Sequence, residues 1–486
     1  MQSREEVGRL AATGMLWGVL GSVVGKAASF VAQIYLGNVL SKADFGVYAT
    51  ALASASILSG LVGGGTSRIL IQRGGAYREL ASDVLRISWA FNLAVCALLV
   101  AAGCFVLWRF TDGTLAVLLI TMGVATVIST PGPVMTARLN IDLEFGKLQR
   151  LAIWSHIVRH GSSIVCAFSG LGALSFVLPM AITATSDNVL AWRRTRPLPP
   201  MRPFARERAL AILRDSKWVM LGTFAGAMIL NGGNLVIGVV ADRVTLGLYF
   251  FAFQITLSLA GLVGGTLQGT MVPALSRLDD SGAERAAAFR FAVRIVGWVG
   301  TLVSGIAIYC SAFVISNLWH GKWNDSILAA QILGLGIPAI LLSWVARAAV
   351  ESRGRWALVT ILQLFEGIIT MSAAALGAHF GGLTSIVIAL IGAQFGAAGV
   401  QIWSACRALG CNAAATLGSS VIAPAMALCA AAIEWRAFGA GVYAADVGAL
   451  HLAGAVATFV AIFAILSFLF SRSVVMQCYR MIASVI

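Results

Sequence analysis

Long apolar runs separated by short polar breaks dominate this chain, and they show no two-residue alternation of hydrophobic and polar positions. A run of about 20 mostly apolar residues crosses the hydrocarbon core as a helix. By that measure, candidate spans fall at 12–36, 46–72, 87–110, 114–139, 151–170, 171–192, 218–240, 247–272, 291–314, 327–350, 356–378, 382–404, 419–437 and 450–470. The apolar stretches 151–192 and 356–404 are continuous and divide at Gly170/Gly172 and Gly381/Gly382. Without strand alternation an outer-membrane barrel is excluded. The pattern predicts an all-α polytopic membrane protein with about 14 transmembrane helices, and no fewer than about 12. The first run is too long for a cleaved signal peptide and is interrupted by Lys26, so it reads as a retained helix.

Composition agrees with the pattern. Asp, Glu, Lys and Arg together make up 11% of the residues, too few to coat a water-soluble particle of this size. The formal charge of +14 does not call for nucleic acid, because basic residues gather in loops retained in the cytoplasm. With the N-terminus inside, cytoplasmic segments hold about 24 of the 34 Lys and Arg. External loops hold about five, namely Lys42, Arg109, Arg243, Lys322 and Arg436. Both termini are therefore expected on the cytoplasmic side. The cysteines show no CxxC or Cys/His spacing, and Cys96, Cys104, Cys166, Cys310 and Cys429 within the apolar spans read as packing residues.

The longest polar segment, residues 193–217, nearly halves the chain. Its first part, RRTRPLPPMRP, is rich in prolines that disfavour helix. Its second part, FARERALAILRDSKW, mixes Phe204, Leu210, Ile212 and Leu213 with Arg206, Arg208 and Arg214. That mixture suits either a short helix lying on an anionic leaflet or a plain solvated linker.

An internal repeat is visible. Gly46-Val47-Tyr48 matches Gly247-Leu248-Tyr249, and Gly60-Leu61-Val62-Gly63-Gly64 matches Gly261-Leu262-Val263-Gly264-Gly265, both at an offset of 201 residues. These are the second and eighth spans, so both copies have the same orientation and the two halves relate by an axis along the membrane normal. Two similar lobes around a central path make an alternating-access architecture. The GLVGGG run is not a phosphate loop, since no Lys-Ser/Thr follows and it lies inside a span; close helix packing is its expected role.

Three segments resemble the polysaccharide-transporter branch of the multidrug/oligosaccharidyl-lipid/polysaccharide exporter superfamily, the Wzx-type oligosaccharide flippases. They are Leu40-Ser41-Lys42-Ala43-Asp44-Phe45-Gly46-Val47-Tyr48, Val272-Pro273-Ala274-Leu275-Ser276-Arg277-Leu278-Asp279-Asp280, and Gly321-Lys322-Trp323 followed by a span and Ser352-Arg353-Gly354-Arg355. The resemblance covers most of residues 10–360. It implies two pseudo-symmetric six-helix lobes (1–192 and 218–404), joined by the basic segment 193–217 and followed by two further helices and a tail within 405–486. It also implies export of a polyprenyl-diphosphate-linked glycan across a bacterial inner membrane, with a polysaccharide polymerase and a chain-length regulator as neighbours. These loop motifs shape turns and helix ends and are not taken as binding residues.

Charges inside spans carry the chemistry, because each costs at least about 2.5–3.5 kcal/mol on insertion scales. Lys26 lies near the middle of the first span with Ser22, Ser29 and Gln33 on one helical stripe. Arg159 lies midway along the fifth between His156 and His160. Both are candidates for a diphosphate, as point charge and planar fork respectively, or else are buried partners of acids or helix-end carbonyls. Arg68 and Arg347 are nearer span ends, where they could join the site or snorkel. Asn231 and Asn234 could donate to sugar hydroxyls or hold helices together. Glu366, with Gln363 nearby, and Asp187, beside Asn188, are candidates for a coupling H⁺ or Na⁺, or for neutralising a cation. The i, i+4 histidine pair lacks a third ligand in sequence, so no metal is expected. No cofactor is expected either.

Cations outnumber acids in mid-span, which favours an anionic cargo over the cationic drugs of related antiporters. A lipid II flippase carries a similar cargo and stays open on these residues. A membrane glycosyltransferase would need acidic catalytic clusters and a large external loop, whereas no external loop exceeds about 15 residues. The expectation is a transporter rather than an enzyme.

Overall fold

The computed structural model describes residues 4–63, 70–71, 73–195, 203–277, 282–438 and 448–470. They are helical almost throughout, with no strand among them. The chain divides into two compact units, Met1–Val239 and Val240–Ile486. That boundary falls at the end of a helix, not within the polar segment 193–217.

The first unit contains α1 (Arg4–Val39), α2 (Lys42–Gly63), α3 (Tyr77–Phe110), α4 (Gly113–Ser129), α5 (Pro131–Ile141), α6 (Phe145–Phe168), α7 (Leu174–Arg194) and α8 (Arg206–Val240). α1 lies along α6, α6 along α7, and α3 along α4, while α4 also packs on α2 and α7. Small residues permit the closest approach. A Cβ on Gly25 would lie 2.7 Å from the His156 ring, and one on Gly60 would lie 2.9 Å from the Phe224 Cα. The expected span 114–139 is interrupted at Thr130, where Pro131 opens α5. Proline fits the first turn of a helix but cannot supply the N–H that would continue the preceding one.

The second unit contains α9 (Arg243–Arg277), α10 (Gly282–Leu318), α11 (Ile327–Gly334), α12 (Ile337–Glu351), α13 (Trp356–Phe380), α14 (Gly382–Leu409), α15 (Ala413–Phe438) and α16 (Ala449–Phe470). α12 is its centre, with Ile337, Leu341, Val345, Ala346 and Ala349 buried against α9, α10 and α14. α15 and α16 pack on α10 through Tyr309, Ala430, Phe459 and Phe463. The 327–350 span is bent by 42° between α11 and α12.

Both divisions at glycine pairs occur as expected. α6 ends before Gly170 and Gly172, which have φ of +74° and +52°, and α13 ends before Gly381 and Gly382, at +92° and +77°. Such backbone favours glycine and breaks a helix sharply.

Among the described residues, ten helices are long and apolar enough to cross a membrane, or eleven if the bent α11–α12 pair counts as one span. The expected count of about fourteen is thus not reached by that measure. Each of the other three expected spans (12–36, 46–72 and 151–170) coincides with a helix, α1, α2 or α6. In α6, His156, Arg159 and His160 lower the hydropathy. The protein is a multi-pass membrane protein.

Segment 206–217 is not a separate helix. It is the opening of α8 and continues unbroken into the apolar stretch that ends at Val240. Its inner face buries Ala209, Ile212 and Ser216, and its charges are tied to unit one: Arg208 Nε donates to the buried Asp83 at 2.8 Å, and Arg73 pairs with Asp215.

The repeat runs further than the sequence comparison traced it. Ser41 and Asp44 form a reciprocal capping box on α2: the Ser41 N–H donates to Asp44 (2.9 Å) and the Asp44 N–H to the Ser41 hydroxyl (3.1 Å). At the same 201-residue offset, Asp242 caps α9, accepting from the Val244 and Thr245 N–H groups at 2.8 and 3.0 Å. The motif Leu40–Tyr48 is therefore a helix start. The glycine runs also pack closely, through different members. Gly60 meets Phe224 in one copy, whereas in the other Gly261 faces open space and Gly264 meets Trp344.

In the third motif, Gly321 takes φ +75° and lets Trp323 turn inward to stack on Phe251 at 4.0 Å. Residues of the second motif beyond Arg277 lie outside the described part. Not every cysteine is a packing residue: Cys166 is buried, but Cys104 and Cys429 are exposed on helix surfaces.

Candidate functional site

In the first unit the polar side chains gather along α6. Arg159 is half-buried and hydrogen-bonds the hydroxyl of buried Tyr48 on α2. Tyr48 is held flat by stacking on Phe176 of α7 at 4.3 Å. One turn earlier on α6, Ser155 donates to Asp187 Oδ2 at 2.8 Å, and His156 lies close enough to act on the same carboxylate. Asp187 Oδ1 is buried with no hydrogen-bond partner. Neighbouring Trp154 donates to Ser186 at 2.8 Å, and Asn188 reaches the Ile128 carbonyl. His156 and His160 stack in parallel with ring centroids 6.1 Å apart. Among the described residues, no group of three or more His, Cys, Asp or Glu gathers to hold a metal.

α1 presses its glycine face on the same helix, with Gly21 opposite Gln149 and Gly25 opposite His156. Lys26, the next residue, is exposed, as is Ser22, while Ser29 and Gln33 are half-buried. The polar stripe expected on the first span thus lies beside the α6 seam rather than within it. Arg68 lies outside the described residues. On α8, Asn231 is half-buried, and Asn234 is 1% exposed with neither amide atom hydrogen-bonded. An amide in that state retains its full capacity to donate and accept.

The second unit holds a different arrangement. Arg347 on α12 pairs with Glu366 on α13, and Gln401 on α14 completes the set. Gln401 Nε2 donates to Glu366 at 2.7 Å, and Arg347 donates to Gln401 Oε1 at 3.4 Å. The three are 7%, 6% and 0% exposed respectively. Arg347 therefore does not snorkel. It neutralises Glu366 inside the unit, one of the roles open to that acid. Sequence alone does not name the cation, and nothing in the spacing of 19 residues signals that α12 and α13 turn the two together.

Two neighbours of the candidate residues carry no signal in the sequence. Tyr48 was visible only as a repeat marker, and Gln401 sits in an unremarkable apolar run. Their partners come from helices distant in sequence, so only packing reveals them.

Comparison with known proteins follows the same lines. The family model described as polysaccharide biosynthesis protein matches residues 36–328, more than half of the chain. The succinoglycan biosynthesis transport protein ExoT of Rhizobium meliloti (strain 1021) is 24% identical over 364 residues, 73% of this chain. The match spans 66% of that relative's own length, just under two thirds. Among solved structures, the lipid II flippase MurJ in an inward closed conformation has a TM-score of 0.69 at 12% identity, covering 95% of this chain and 100% of that one. An inward-facing multidrug resistance MATE family transporter of the MOP superfamily has a TM-score of 0.62 at 15% identity, covering 79% and 94%. At such identities the likeness speaks for the fold. On the extent of the family match, the chain belongs to the polysaccharide biosynthesis protein family, and its fold is that of the MOP-superfamily transporters.

Proposed function

We propose that this protein is an inner-membrane flippase that moves polyprenyl-diphosphate-linked oligosaccharide units outward by alternating access, for exopolysaccharide or lipopolysaccharide synthesis. The observation that carries the reading is the α6 seam: a half-buried guanidinium hydrogen-bonded to Tyr48, in a membrane-spanning unit of this family. The barrier to be lowered is desolvation of a diphosphate and sugars in hydrocarbon. Arg159 offers a planar fork oriented by the tyrosine, and exposed Lys26 offers a point charge. The buried, unsatisfied amide of Asn234, with half-buried Asn231 one turn away, supplies a donor and an acceptor for sugar hydroxyls when the path opens.

Arg347 belongs to the scaffold in this reading, because its charge is already met by Glu366. The same pairing weighs against Glu366 as the coupling site. Asp187, with one buried oxygen unpartnered beside His156, is the better candidate for a coupling H⁺ or Na⁺. An inside-negative potential would assist an anion's outward passage by about 2.3 kcal/mol per charge per 100 mV, so ion coupling is an aid rather than a requirement. Both termini face the cytoplasm, no chemical conversion or cofactor is involved, and a polymerase with its chain-length regulator takes up the flipped unit.

The test is gene deletion with mass spectrometry of lipid-linked oligosaccharides and analysis of surface polysaccharide. Loss of one polysaccharide, with its polyprenyl-linked unit trapped on the cytoplasmic side, is the expected result. Trapped lipid II would assign the cargo to cell-wall synthesis. No trapped intermediate together with drug sensitivity would favour a cation-coupled multidrug antiporter.

A further inference from the structure

The opening of α8 carries a feature to which the proposed function assigns no role. Leu213, Lys217, Met220, Leu221 and Phe224 line a groove of about 270 Å³ along one face of the helix. Their spacings of four, three, one and three residues keep all five on one side. The adjoining face, about a quarter-turn away, buries Ala209, Ile212 and Ser216 in the unit. Lys217 is the cation of the groove and is exposed. The acid nearest it in sequence, Asp215, is engaged by Arg73, and no acidic partner for Lys217 occurs among the described residues.

The depth of this lysine is marked independently. Its ammonium sits 5.6 Å from the centre of the Trp218 ring, and Trp218 is 38% exposed. Exposed tryptophan beside lysine marks the headgroup level of a bilayer. Before this point α8 is charged, with Arg206, Arg208 and Arg214; after it the helix carries no charge to Val240. The groove floor runs from Lys217 to Phe224, about 10 Å along the axis at 1.5 Å per residue, in the direction that enters hydrocarbon.

We propose that this groove binds an anionic phospholipid of the bilayer, its phosphate on Lys217 and an acyl chain along Met220, Leu221 and Phe224. One cation matches the single negative charge of a phosphodiester, whereas a diphosphate would leave charge unmet, so a structural lipid fits better than the lipid-linked cargo. The inference rests on the chain spanning a membrane and not on the identity of the glycan.

The experiment is native mass spectrometry of the intact protein released from micelles containing phosphatidylglycerol or phosphatidylcholine. Wild type is expected to retain phosphatidylglycerol, and Lys217→Ala to retain it about five-fold less, the worth of one cation near a phosphate. Phosphatidylcholine should bind wild type no better than phosphatidylglycerol binds the variant. Lys217→Arg should restore retention, and Arg214→Ala, outside the groove, should not alter it. Equal retention by wild type and Lys217→Ala overturns the proposal. Displacement of phosphatidylglycerol from wild type by equimolar polyprenyl diphosphate also overturns it, by assigning the groove to the cargo. Lys217 is exposed and makes no ion pair among the described residues, so the variant's folding can be checked by an unchanged thermal midpoint.

Discussion

Replacing Glu366 by Gln isolates the energetics of the buried set in the second unit. The substitution keeps size and shape but leaves the Arg347 guanidinium, 7% exposed, facing two neutral amides. The arginine cannot shed its proton, and α12 is packed on its other sides by Val345, Ala346 and Ala349. Removing one partner of a buried ion pair costs about 3–5 kcal/mol, because the remaining charge is stranded. Arg347→Met should cost a similar amount by stranding the carboxylate. The double variant Arg347→Met/Glu366→Gln strands neither charge, and an apolar replacement of a buried pair is often neutral or better. The expected order of thermal midpoints, measured by fluorescence-detected size-exclusion of heated detergent extracts, is wild type close to the double variant and both single variants well below. Single variants that hold the wild-type midpoint, or a double variant no better than either single, would refute the reasoning. Flipping by the double variant then separates roles. Activity that survives places the pair in the scaffold, and activity lost at full stability would return Arg347 and Glu366 to the transport path.

Three further outcomes follow from the geometry. Arg159→Ala should reduce flipping in proteoliposomes about tenfold or more, the worth of a charge-assisted hydrogen bond, with Lys26→Ala weaker because that side chain is exposed; unchanged flipping in both would remove the site from α6. Gly264→Ala places a Cβ 1.7 Å from the Trp344 ring, while Gly261→Ala meets nothing. The first should destabilise by about 1–3 kcal/mol through overpacking and the second should be neutral, and a pair of equal midpoints would contradict the packing. Asp242 is held below the ordinary carboxylate range, chiefly by its hydrogen bonds from the Thr245 hydroxyl and N–H. Its contribution is present above the unfolded value of about 3.9 and is lost as pH falls through the lower folded value. Between pH 5 and 3 the wild-type midpoint should fall more steeply than that of Asp242→Asn, whose amide caps without titrating; parallel slopes would show that the cap contributes nothing.

Sequence by itself determined that the chain is helical, membrane-spanning and internally repeated. Apolar run length, glycine breaks and charge bias are one-dimensional properties, so they survive without coordinates. The breaks at Gly170/Gly172 and Gly381/Gly382 fall where the chain needs positive φ, a demand local to one or two residues. The Lys26 and Arg159 candidates were legible for the same reason, since a charge in an apolar run announces itself. What each charge meets was not legible. Arg347, Glu366 and Gln401 come from three helices, and Arg159 finds Tyr48 from a helix over a hundred residues earlier. Likewise the polar 206–217 stretch reads locally as either a short interfacial helix or a linker. Only the burial of Ala209 and Ile212 and the Arg208–Asp83 pair make it the start of α8. Tertiary structure decided these points because partner choice depends on helix rotation and packing, which apolar periodicity does not encode when nearly every face of a membrane helix is apolar.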